Sequence, residues 1–171
     1  MSVCTNVEHF DPTEAGAETV EWFHQMGIAV PDQGGRAPRF DELLAVLRSF
    51  AGVRVDVDMH GADGESFVIL FGERYSDIGL QLEGSVDPEG TVSLWFRGGG
   101  NEWTMLTILK RLSRQCGPLM MWTELRTDFS IITSDTDVAI ECKRRSDRWN
   151  ADHPSGPKLV VIRPPPPIAE T

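Results

Sequence analysis

The sequence predicts an α+β fold: a largely antiparallel β-sheet, a meander, packed against one central helix, with two helices ahead of it near the N-terminus. Three observations carry that prediction. Runs rich in β-branched and aromatic residues succeed one another across short turns from Val53 to Phe96. Short connections join antiparallel neighbours, because parallel ones need long crossovers. An amphipathic run from about Asn101 to Cys116 follows, and Gly117-Pro118 stops it.

The first helix is expected between Asp11-Pro12, an N-cap followed by proline at the first helical position, and Gly27. Ala17, Val20 and Phe23 form its apolar side with Trp22 at the border, while Glu14, Glu18 and Glu21 form an acidic stripe. Pro31 to Pro38 is a loop of breakers. A second helix runs from about Arg39 to Phe50, with Phe40, Leu43, Leu44, Leu47 and Phe50 at helical spacing, and Gly52 ends it.

Four strands are expected next, at Val53–Met59, Ser66–Glu73, Ile78–Leu82 and Thr91–Phe96, with a turn at Asp87-Pro88-Glu89-Gly90. Gly98, Gly99 and Gly100 form a hinge into the central helix, for which Asn101 is a good N-cap. Met105, Leu106, Leu109, Leu112 and Cys116 line one face of that helix. Lys110, Arg111 and Arg114 suit the negative end of its dipole. Beyond it, Leu119–Leu125, Phe129–Thr133, Val138–Lys143 and Lys158–Ile162 read as strands and Arg144–Asn150 as a short helix. Residues 1–163 then form one domain, and Pro164–Pro167 opens a proline-rich tail, 164–171, that cannot extend a sheet.

The 171 residues carry a net charge of -10, and the charge is uneven. Residues 1–100 hold 17 acids against 6 arginines and no lysine, whereas residues 101–171 hold 9 acids against 10 bases. An acidic first part repels nucleic acid and attracts basic partners. No apolar run is long enough to cross a bilayer, and Met1 to Phe10 lack the basic start and apolar core of a secretory leader. Cys4, Cys116 and Cys142 are odd in number and widely spaced, which suits reduced thiols and a cytoplasmic location.

Two stretches carry candidate chemistry. In Val53 to His60, alternation puts Val53, Val55, Val57 and Met59 on one strand face and Arg54, Asp56, Asp58 and His60 on the other. The ordinary explanation is a strand with one wet face, on which paired carboxylates attract a cation or a basic partner. In the second stretch, Thr127-Asp128-Phe129-Ser130 is followed by Val138-Ala139-Ile140-Glu141-Cys142-Lys143. An apolar run ending in Glu-x-Lys, with an Asp at the start of the preceding strand, resembles the PD-(D/E)xK nuclease superfamily. That resemblance implies Asp128 and Glu141 as Mg²⁺ ligands and Lys143 as the residue that positions or activates the attacking water.

The sequence therefore supports two functional expectations. The first is a non-enzymatic, cofactor-free binding domain for a protein with a basic surface, of inhibitor or immunity type, which neutralises a toxin or basic enzyme. Its contact residues are Glu14, Glu18, Glu21, Asp56 and Asp58. The alternative is the Mg²⁺-dependent nuclease of the resemblance, acting through Asp128, Glu141 and Lys143 on nucleic acid.

Overall fold

The computed structural model describes residues 4–72, 80–97, 102–123 and 128–158. These residues form an α+β fold with one antiparallel sheet and five helices. The strands are β1 (Cys4–His9), β2 (Val55–His60), β3 (Ser66–Phe71), β4 (Leu80–Val86), β5 (Val92–Arg97), β6 (Leu119–Thr123) and β7 (Ser130–Ile132). The helices are α1 (Pro12–Ala15), α2 (Ala17–Gln25), α3 (Phe40–Arg48), α4 (Glu102–Cys116) and α5 (Val138–Asp152). Among the described residues, no helix is long and apolar enough to cross a membrane.

The strand order is β2-β3-β4-β5-β1-β6-β7. Strands β2 to β5 form the expected meander, but β1, absent from the sequence reading, enters between β5 and β6 and joins the meander to β6 and β7. Its period-two pattern, Thr5 and Val7 buried while Asn6 and Glu8 are not, is the usual mark of a strand.

The long helices cover one face of the sheet. Leu43 and Leu47 of α3, Phe50 just beyond it, Met105, Leu106, Ile108, Leu109 and Leu112 of α4 and Val138 and Cys142 of α5 share a core with Val7, Phe67, Ile69, Leu82, Leu94, Phe96, Met121 and Ile132. The apolar face foreseen for α4 is buried throughout, and Thr104, Thr107, Ile108 and Ser113 are buried as well. Helix α4 lies against the sheet with α3 and α5 packed beside it, so its core face is wider than one stripe. Arg111 leaves the dipole role for a packing one: its guanidinium sits 3.8 Å above the Phe50 ring and donates to Ser49 Oγ at 2.7 Å, tying α4 to α3.

The first predicted helix is two. Gly16, at φ 80°, ends α1 and precedes α2, a backbone turn that a side chain would strain. Asp11 caps α1 by accepting from the Thr13 amide at 2.8 Å. Phe23, Phe10, Ile28 and Ile131 form a second, smaller core on the opposite sheet face, joined by Met120 and Phe129. The breaker loop is stitched to the corner after α4, where Gly35 N donates to Phe10 O at 2.7 Å and Arg36 N to Cys116 O at 2.8 Å.

The largest correction concerns Val138–Lys143, which is the start of α5 and not a strand. Asp137 caps it, accepting from Ile140 N at 3.0 Å. Val138, Cys142, Arg145 and Ser146 are buried at helical spacing, while Ile140 is 68% exposed. A strand would have placed Ile140 on the same face as Val138 and Cys142. The helix is also laced by Glu141–Arg144, Lys143–Asp147 and Arg148–Asp152 pairs. The short helix expected from Arg144 is its second half. The glycine hinge and Asn101 cap, residues 124–127, the last expected strand beyond Lys158 and the proline tail lie outside the described residues.

Candidate partner-binding surface

Sheet register assembles this surface. Asp58 pairs with Val68, Val68 with Glu83, Glu83 with Trp95, Trp95 with Asn6 and Asn6 with Trp122. Residues directly opposite one another project to the same face, so these six side chains form a row across six strands. Asp56, Leu70, Gln81 and Arg97 form a second row beside it. These rows lie on the face away from α3, α4 and α5. There α2 packs only at the far end of the sheet, over Phe10, Phe129 and Ile131. Val68, Leu70, Trp95 and Trp122 are consequently only partly buried.

Glu83 is the polar centre of the surface. It accepts from Trp95 Nε1 at 3.1 Å, from Gln81 Nε2 at 2.6 Å and from Arg97 Nη1 at 2.9 Å, with only 14% of its side chain exposed. These bonds hold the indole of Trp95 in place on the open face. At the other end, Trp122 stacks with Phe129, and Phe129 meets Trp22 and Phe23 edge-on. Two rigid aromatic anchors therefore stand at the middle and at one end of an acidic sheet face.

The five acids singled out from sequence occupy two separate places. Asp56 and Asp58 are exposed on β2, which ends the sheet, with Arg54 beside the first at 2.8 Å and His60 beside the second at 3.3 Å. Glu14, Glu18 and Glu21 are exposed on α1 and α2, next to the β6–β7 end. With strands ~4.8 Å apart, the two groups flank about 24 Å of sheet. Sequence reasoning missed Glu83 and its alignment with Trp95 and Trp122, because only the pairing register puts them in line.

Asp128, Glu141 and Lys143 form a different arrangement from the one the resemblance implies. Asp128 is buried, accepts from Thr123 Oγ1 and receives Arg145 Nη2 at 2.7 Å. Arg145, 1% exposed, also donates to Glu102 at 3.0 Å, to Asp128 O at 2.8 Å and to Ser130 Oγ at 2.9 Å. Glu141 is held by Arg144 at 2.6 Å, and Arg144 reaches the same Ser130 Oγ at 3.1 Å. Burial pushes the Glu141 carboxyl up, but the hydrogen bonds from Arg144 and Ser130 and the two nearby guanidiniums outweigh it and hold it below its ordinary value.

Both carboxylates thus already face an arginine, and both arginines reach Ser130 Oγ, while Lys143 is exposed and pairs with Asp147. Glu141 and Lys143, two residues apart on a helix, point to different sides of it and share no strand face. A divalent cation at Asp128 and Glu141 would have to displace two guanidiniums, so these residues do not fit Mg²⁺ as they stand. Among the described residues, no group of three or more His, Cys, Asp or Glu side chains is placed to hold a metal ion.

A cleft of about 830 Å³ opens beside this arginine cluster, lined by Ile28, Val30, Ile131 and Ile140 with Asp135 and Asp137 among its acids. It too combines apolar walls with negative charge. No family model, no curated protein and no solved structure matches the chain.

Proposed function

We propose that this chain is a cytoplasmic binding domain that captures a protein with a basic surface, in the manner of an inhibitor or immunity protein. The observation that supports it most is the open sheet face, where Trp95 and Trp122 stand partly exposed in line with Asp58 and Glu83. Aromatic anchors surrounded by charge are the usual composition of a protein interface. The span between the two acidic groups, about 24 Å, suits a standard interface of about 800 Å² on each partner. Carboxylates at both ends would steer a cationic partner during its approach and orient it on the face.

The test is affinity capture from cytosol, identification of the partner, and stopped-flow association with charge-reversed variants. Lysine at Asp56 and Asp58, or at Glu14, Glu18 and Glu21, is expected to slow association and flatten its salt dependence. Trp95→Ala is expected to speed dissociation. Association that is indifferent to both sets of reversals would falsify the acidic-face reading.

A further inference from the structure

The meander ends at β2, and among the described residues β2 is hydrogen-bonded only to β3. Which of its backbone groups face outward follows from one contact. Gly72 N donates to Arg54 O at 2.9 Å, which places Arg54 in a hydrogen-bonded pair with β3. Bonded and non-bonded pairs alternate along an antiparallel ladder. Arg54, Asp56, Asp58 and His60 therefore turn their amides and carbonyls inward to β3, and Val55, Val57 and Met59 turn theirs to the outer edge, which is unpaired among the described residues.

We infer that β2 accepts an extended segment of the basic partner as an added antiparallel strand, with alternating cationic and apolar residues. This rests on the proposed binding function and adds the mode of contact. The added strand would bond to the outward groups of Val55, Val57 and Met59. Asp56 and Asp58 would then fall in its non-bonded pairs, where opposed side chains come closest. Lysine or arginine opposite them lies on the open face, in line with Glu83 and Trp95. Apolar residues between them fall on the helix side, extending the core that Val55 and Val57 already join.

Arg54 and His60 do not block this. Their contacts with Asp56 and Asp58 are made by side chains 47–75% exposed, and such pairs contribute little and exchange readily. A second copy of the chain fits the edge poorly. The symmetric register centred on Val57 sets Asp56 against Asp58 twice, the one centred on Asp58 sets that residue against itself, and directly opposed like charges are destabilising.

The experiment uses the full chain and a synthetic peptide of alternating lysine and valine as long as β2, with a glutamate–valine peptide as control. Titration calorimetry is expected to show binding of the basic peptide alone, weakening with salt. Amide exchange is expected to slow at Val55, Val57 and Met59. Val57→Pro removes an outward amide and leaves the β3 ladder paired, so it should weaken binding roughly tenfold. If that variant unfolds by circular dichroism, a basic peptide N-methylated at alternate residues decides instead, and loss of its binding supports strand addition.

Three results overturn the inference: no binding of the basic peptide, equal binding of the methylated one, or self-association through β2. Protection confined to the row of Glu83, Trp95 and Asn6 would also overturn it while leaving the proposed function standing. Partner binding that ignores every acidic reversal would remove both.

Discussion

Arg145 Nη2 donates a 2.7 Å hydrogen bond to Asp128 Oδ2, and both side chains are buried. The pair joins α5 to the segment leading into β7, and through Glu102, 3.0 Å from Arg145 Nε, to the first turn of α4. A sequence reading that makes Asp128 a metal ligand meets a structure in which it is the counter-ion of a helix clamp.

Removing one partner of such a buried pair leaves the other uncompensated. Arg145→Met is expected to destabilise the fold by about 3–5 kcal/mol, read from urea denaturation. The double variant Arg145→Met/Asp128→Asn should recover much of this, since it removes the orphaned charge while keeping an acceptor for Thr123. If the double variant is no more stable than the single one, the clamp is not the source of the loss.

Acid stability should carry the signature of Glu141. Its carboxyl lies below the ordinary value of 4.5 in the folded state, so the unfolded chain binds the proton more readily. The resulting stabilisation is fully present above about pH 4.5 and is lost as pH falls through the depressed folded value. Glu141→Gln should therefore be less stable than the parent at pH 6 to 7, with the difference shrinking towards pH 3. Denaturation midpoints across that range check it, and a gap that widens on acidification contradicts it.

The thiols of Cys116 and Cys142 are pushed up to about 11 and about 12 by burial. The thiolate is the reactive form, so neither should react with a maleimide at pH 8 while the protein is folded. Both should react fast in denaturant, as peptide mass mapping would record. Above about pH 9 the unfolded chain loses these protons first, so stability should fall with further increase in pH.

The sequence by itself determined the α+β class, the meander from β2 to β5 and the apolar face of α4. Each of these is written in local periodicity, two for strands and 3.6 for helices, with glycine and proline as punctuation. Local pattern was ambiguous at Val138-Ala139-Ile140, where β-branched residues mimic a strand. The Asp137 cap and the paired charges one turn apart in α5 decide for helix, and the burial of Arg145 completes it. Tertiary structure alone decided that β1 enters the middle of the sheet, because pairing partners distant in sequence leave no periodic trace. It also decided that Asp58, Glu83 and Trp95 stand in one row, that Glu14 and Asp56 flank it from opposite ends, and that Asp128 and Glu141 face arginines. Those are relations of register and of helix docking, set by which strand edges and apolar faces meet when the chain closes.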